Sequence, residues 1–200
     1  MAGSGKTRFV NVKFCLIAQQ LLRSLKSEGY NTYSINLDPA VHEVLFPANI
    51  DIRDSVSYSG VMEKYGLGPN GAILTCLNLF VTQFDQVLNL VNQRHDSTRI
   101  DYVVIDTPGQ IEAFTWSACG QLVTTTLATE GPCLLAYVID TVRVKDPNSF
   151  MSNMLYALSV FFRSKLPIIL VFNKIDLQSP DFARKWLTDF ESLDVREAVS

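Results

Sequence analysis

The chain has 200 residues, 48% of them hydrophobic and 18% charged, which suits one folded domain and lies far from the composition of disordered chains. Seventeen basic against twenty acidic residues give a net charge of −3, with no basic run to form a footprint on nucleic acid. Residues 1–8 lack the apolar stretch of a secretory signal, and the apolar runs 133–139 and 166–172 are too short to span a bilayer, so an intracellular, soluble protein is expected, with no direct nucleic-acid or membrane partner.

In chain order, Gly3-Ser4-Gly5-Lys6-Thr7 comes first, and a helix is expected from Lys6 to about Lys26. Strands are expected at 32–36, 101–106, 133–140 and 166–173, each ending in Asp or Asn. Further helices are expected at 56–65, 78–93, 149–163 and 182–191. Strands alternating with helical stretches point to an α/β fold with a mainly parallel sheet and helices on both faces. In such folds ligands gather at the carboxyl ends of strands, where these Asp and Asn residues fall. Residues 47–71 are the least regular, and the run Gly66-Leu67-Gly68-Pro69-Asn70-Gly71 predicts a conformationally special loop. Cys15, Cys76, Cys119 and Cys133 are widely spaced with no Cys-x-x-Cys pair, so neither a zinc site nor a disulfide framework is expected and all four read as small buried hydrophobes. His42 and His95 read as ordinary loop residues, and Tyr156, Leu158, Phe161 and Phe162 as core.

Three motifs carry chemistry. Gly3-Ser4-Gly5-Lys6-Thr7 matches the end of the phosphate-binding pattern G-x-x-x-x-G-K-[ST]: glycine N–H groups curl round a phosphate, Lys6 reaches its oxygens and Thr7 ligates Mg²⁺. A helix beginning there would add its positive end to the cradle, with Arg8 beside it. Asp106-Thr107-Pro108-Gly109-Gln110 follows an apolar run; it offers Asp106 to Mg²⁺, the Gly109 N–H to a γ-phosphate and, four residues after Asp106, Gln110 to a water. Asn173-Lys174-Ile175-Asp176 has the form N-K-x-D, in which the Asp176 carboxylate can accept from both guanine N1–H and its exocyclic amine, Asn173 contacts the ring edge and the Lys174 stem stacks on it. Phosphate, switch and base motifs in that order read as a GTP site with Mg²⁺.

With these motifs the sequence resembles the GPN-loop GTPases, on Gly68-Pro69-Asn70 and on Ile35-Asn36-Leu37-Asp38-Pro39-Ala40, residues 46–54 and residues 150–156. The last segment looks most like the paralogue associated with RNA polymerase II. The resemblance implies a single P-loop NTPase domain of three layers over residues 1–200, with a GPN-loop insertion at about 47–95. It implies a homodimer, or a heterodimer with a paralogous GPN-loop GTPase, in which Asn70 holds the phosphate in the partner's site. Asp38 and Gln110 would orient the attacking water and Glu112 would support them. RNA polymerase II subunits or assembly factors are the implied clients, in the cytoplasm with shuttling to the nucleus. Arg53 is a candidate arginine finger, although an ion pair with Asp51 or Asp54 accounts for it better.

The sequence departs from the family at three places. The leading glycine of the phosphate motif would precede Met1, and no strand is expected to feed the loop, so the sheet should be left with unpaired edges and fold poorly. The chain reaches Ser200 without a recognisable fifth guanine loop. Lys6 and Asp38 lie about eight residues further apart than in the family, which residues 12–19, read as a retained in-frame intron, would explain; at ~100° per residue they would turn the rest of the first helix by about 80° and take its apolar face off the sheet. A nucleotide-regulated dimerisation scaffold is the alternative function, and a P-loop small-molecule kinase is argued against by the N-K-x-D motif and the lack of an Arg-rich lid.

Overall fold

The computed structural model describes residues 8–12 and 15–189, with side chains for 17–110 and 113–189. The chain divides into two compact units, Met1–Leu135 and Ala136–Ser200.

In the first unit, strands Arg8–Val12 (β1), Thr32–Asn36 (β2), Ile50–Asp51 (β3) and Tyr102–Asp106 (β4) are ordered β3-β2-β4-β1, and each neighbouring pair is parallel. β4 is apolar in an unbroken run, as a strand covered on both faces must be; Val103, Val104 and Ile105 are at most 1% exposed. In register, Asn36 of β2 stands beside Asp106 of β4, so the polar ends of both strands meet at the same edge.

β1 corrects two expectations. Residues 8–12 are a strand, not the start of a helix, and they pair with β4 from Arg8 opposite Tyr102 to Val12 opposite Asp106. Phe9, Val10 and Val12 are types that favour extended backbone, and the β4 ladder offers hydrogen bonds that an isolated first helical turn lacks. The helix that follows, Cys15–Ser27 (α1), keeps its apolar face inside: Ala18 is fully buried and Leu22 nearly so. The expected rotation of that face is thus absent. Residues 12–19 span the end of β1, the connection and the first turn of α1, so they are not an insertion within a helix.

Residues 47–95 are mostly helical. After β3 come Ile52–Ser55 (α2), Tyr58–Tyr65 (α3), Pro69–Val81 (α4) and Phe84–Ser97 (α5). Ser57 caps α3 by accepting from the Gly60 N–H, and Gly66 closes it in the left-handed region at φ +59°, where a side chain would be strained. Gly68 is the N-cap of α4 and Pro69 its first residue, the position where a missing N–H costs nothing. α4 buries Ala72, Ile73, Cys76, Leu77 and Phe80 along one stripe. The single helix expected at 78–93 is two helices bent by 60°, and the Thr82 hydroxyl donates to the Leu79 carbonyl at the break.

After β4 come Ile111–Phe114 (α6) and Ala118–Glu130 (α7), a helix the sequence reading omits. Its Thr-rich composition hides it, but Ser117 caps it and Thr124 bonds back to Gly120 and Gln121. In the second unit, Cys133–Asp140 (β5), most of it in this unit, neighbours Ile168–Asn173 (β6). Between them runs Pro147–Ser164 (α8), capped by Asp146, and Asp181–Thr188 (α9) follows. A core of Phe150 and Ala183 gathers Met151, Met154, Phe172, Phe182 and Trp186. Tyr156, Leu158, Phe161 and Phe162 are not core: they are exposed on α8, Phe162 to 72%. Among the described residues no single helix is long and apolar enough to cross a membrane.

Candidate functional site

The carboxyl ends of β2 and β4 carry a polar cluster in an apolar sheet. Asn36, fully buried at the end of β2, is its hub: its Nδ2 donates to Asp51 Oδ1 at 3.0 Å and to the Asp38 carbonyl at 3.2 Å, and its Oδ1 accepts from the Asp38 N–H at 3.0 Å. The Leu37 N–H donates to the Asp106 carbonyl at 2.8 Å, locking this loop to β4. Every group a buried amide offers is used, which fixes where Asp38 leaves the sheet.

Asp38 itself accepts from the Ala40 N–H at 2.9 Å and from the Gly109 N–H. Burial raises its carboxyl above the usual carboxylate range, and these two donors with the Arg53 charge only partly offset that. Asp106 is 3% exposed at the end of β4, with Thr107 and Pro108 buried behind it and Gly109 at the surface. The structure therefore brings together Asp38, Asp106 and Gly109. Gln110 follows, half-buried, its carbonyl accepting from the Ala113 N–H of α6.

Arg53 forms the ion pair expected of it. Its Nη2 lies 2.8 Å from Asp51 Oδ2 and its Nε 3.0 Å from Oδ1, while Nη1 donates to the carbonyls of Val41 and His42. Burial would raise the Asp51 carboxyl, but bonds from Arg53 and Asn36 outweigh it and hold the group below the usual range. The pair straps the loop after Asp38 to α2. Sequence reasoning singled out Asp38 and offered Asp51 as a partner of Arg53 but gave no role to Asn36; the one signal was that the strand ends on a polar residue.

Gly68, Pro69 and Asn70 are exposed at the N-terminal end of α4. In the second unit, Asn173 ends β6 and Lys174 takes a left-handed conformation at φ +62°, opening a turn in which the Leu177 and Gln178 N–H groups donate to its carbonyl. That turn leaves Asp176 exposed, while the Lys174 ammonium holds Asp140 Oδ2 at 2.6 Å and keeps that carboxyl low. Gly3, Ser4, Gly5, Lys6 and Thr7 lie outside the described residues, as does the side chain of Glu112. Arg8, expected beside the phosphates, opens β1 opposite Tyr102, at the other end of β4 from Asp106. The helix expected directly after Thr7 begins instead at Cys15.

Among the described residues no group of three or more His, Cys, Asp or Glu could hold a metal ion. Cys76, Cys119 and Cys133 are buried free thiols, as expected, and burial pushes Cys133 up to about 11. His95 differs from expectation: it sits in the last turn of α5, where its Nδ1 accepts from the Ile100 N–H at 3.1 Å.

A parallel α/β sheet with acidic residues at the carboxyl ends of its strands and an N-K-x-D turn after a later strand defines an α/β fold of the P-loop NTPase type. A family model described as a conserved hypothetical ATP binding protein matches residues 1–199. GPN-loop GTPase 1 of Saccharomyces cerevisiae is 54% identical over 192 residues, covering 96% of this chain and 47% of the relative. GPN-loop GTPase 3 of Debaryomyces hansenii is 31% identical, covering 96% of this chain and 67% of the relative. A GTPase from Pyrococcus abyssi, solved in its apo form, superposes with a TM-score of 0.81 at 29% identity, covering 96% of this chain and 77% of that one. The chain belongs to the GPN-loop GTPase family, and it resembles GPN-loop GTPase 1 more than GPN-loop GTPase 3. It spans about half the length of the GPN-loop GTPase 1 relatives it matches.

Proposed function

We propose that the protein binds GTP and hydrolyses it to GDP and phosphate as a molecular switch. The observation that carries the reading is the convergence of Asp38, Asp106 and the Gly109 N–H at the carboxyl ends of β2 and β4. Hydrolysis asks mainly for positioning and charge neutralisation around a water and a phosphoryl group, and those three groups with Gln110 supply acceptors and a donor at one edge. Asp38 orients the water. The Gly109 N–H, held by Asp38 in this structure, can be exchanged for a γ-phosphate oxygen, so the same bond reports whether nucleotide is present. Gln110 orients the water from the other side, and Glu112 supports it.

The hard oxygen of the buried Asp106 carboxylate suits Mg²⁺, which when bound would neutralise phosphate charge, and the sequence motif adds the Thr7 hydroxyl as a second ligand. The sequence motifs assign the phosphate contacts to Gly3 to Thr7 and the selection of guanine to Asn173, Lys174 and Asp176. By the family resemblance the protein acts as a homodimer or paralogous heterodimer, with Gly68-Pro69-Asn70 of one subunit reaching the other's phosphate. Exposed Leu74 and Leu79 on α4 and Leu122 on α7, two helices that pack together, give such a dimer an apolar surface. The same resemblance assigns RNA polymerase II assembly and nuclear import as the client process, in the cytoplasm with passage to the nucleus.

Single-turnover hydrolysis of GTP by the full-length protein tests the reading. Gln110→Leu should keep GTP affinity and slow turnover by about a hundredfold. Unchanged turnover, or none in the wild type with GTP-dependent dimerisation intact, would replace the enzyme with a nucleotide-regulated scaffold.

A further inference from the structure

At the end of β2 away from the candidate site, a cleft of about 440 Å³ opens beside the last turns of α1 and α5. Lys26 and Arg94 line it from those two turns, with Tyr30, Thr32, Tyr33 and Thr98 among the other residues of its wall. Among the described residues no acidic side chain lines it, although the chain as a whole is acidic. Among the described residues neither Lys26 nor Arg94 forms an ion pair, whereas Arg53, Arg99, Arg143 and Lys174 each do. The neighbouring acid, Asp101, is engaged by Arg99 and by the Asn31 N–H. The Thr32 hydroxyl is buried and has no hydrogen-bond partner. Arg94 acts on the Tyr33 phenol, its charge pulling back a hydroxyl whose proton burial would otherwise hold more tightly.

Cations in the last turn of a helix offset the negative end of its dipole, and that accounts for each of the two alone. It does not account for their sharing one acid-free cleft whose volume falls in the range of small-molecule sites. We propose that this cleft binds a small organic phosphate, its phosphate between Lys26 and Arg94 and its apolar part against Tyr30 and Tyr33. The pairing follows from charge-assisted hydrogen bonds to a phosphate and from the exposed Tyr30 ring on the rim. The cleft lies at the amino end of β2, whereas Asn36 and Asp38 lie at and just beyond its carboxyl end, so this ligand would occupy a site separate from the nucleotide.

Phenyl phosphate titrated into the ¹⁵N-labelled full-length protein tests the proposal. Saturable shifts should appear in the amides of residues 29–33 and 94–98. Arg94→Gln and Lys26→Gln, both exposed positions, should each weaken binding about tenfold without lowering the melting temperature. Arg99→Gln, outside the cleft and paired with Asp101, should bind as the wild type does. Absence of saturable shifts, or unchanged affinity in both cleft variants, would overturn the proposal. Equal weakening by Arg99→Gln would also overturn it, by reducing the effect to general surface charge.

Discussion

The proposed role of Asp38 sets two opposed demands. To orient water its carboxylate must be charged, yet it is partly buried, accepts only two backbone N–H groups, and its pKa is raised. A raised carboxyl means the native state binds that proton more tightly than the unfolded chain, so the ionised form costs stability. The cost is complete above the folded pKa and vanishes as pH falls from there to the unfolded value. Asp38→Asn removes the charge and keeps one acceptor. Its melting temperature should exceed that of the wild type at pH 7, and the gap should close as the pH drops into the carboxylate range, measured by thermal melts across pH. The same variant should lose hydrolysis while keeping GTP affinity. A variant that melts lower at pH 7 would mean that the two backbone bonds outweigh burial. Asp51 shows the opposite balance: with Arg53 and Asn36 supplying donors, its charge is stabilised and that contribution is lost only as acid protonates it.

Elements, unlike residues, are chosen by what they can pair with, and β1 is the case in point. Val10 pairs with Val104 in the middle of a parallel ladder, so Val10→Pro should remove a donor, clash with its neighbours and cost about 3 kcal/mol. A neutral effect in a thermal melt would return residues 8–12 to a position off the sheet. The approach of α6 to α7 is a second test. A Cβ built on Gly120 would lie 1.9 Å from the Phe114 carbonyl oxygen, so Gly120→Ala should force the backbone apart and cost about 3 kcal/mol by denaturant unfolding. How far such elements were legible follows from the same logic. The strands 32–36 and 133–140 were read to the residue because each is a short stretch of β-branched, aromatic or aliphatic residues with a polar stop. β1 was read as helix because its neighbour in the sheet, not its own periodicity, decides its state. α7 was passed over because its side chains satisfy themselves locally, and α8 was read as core because apolar residues on a helix do not say which face is covered. Of the candidate site, Asp38, Asp106 and Gly109 stood in recognisable motifs. Asn36 and Asp51 lay in segments that carry the resemblance, but their bond to each other did not show, since a hydrogen bond between residues fifteen apart leaves no pattern in sequence.

Across the whole molecule the proposed reading puts the two tasks of a GTPase on different compact units. Asp38, Asp106, Gly109 and Gln110 belong to Met1–Leu135, and Asn173, Lys174 and Asp176 to Ala136–Ser200. Turnover and base selection should therefore be separable by mutation. Asp176 is exposed at a turn whose backbone is fixed by two bonds to the Lys174 carbonyl and whose lysine is tied to Asp140, so Asp176→Ala should leave the fold intact. In the proposed reading it removes a charged acceptor for two guanine donors, a loss of about 3 kcal/mol, or roughly a hundredfold in GTP affinity. Adenine offers no such donors, so ATP affinity should not change and the preference for GTP should disappear. At saturating GTP the residual turnover of Asp176→Ala should match the wild type, because the water-orienting groups are untouched. Asp38→Asn should behave in mirror image, with selectivity kept and turnover lost. Titration with fluorescent GTP and ATP, followed by single-turnover hydrolysis on both variants, reads the two effects side by side. Loss of turnover at saturation in Asp176→Ala would mean that base recognition and chemistry are coupled through the nucleotide rather than divided between the units.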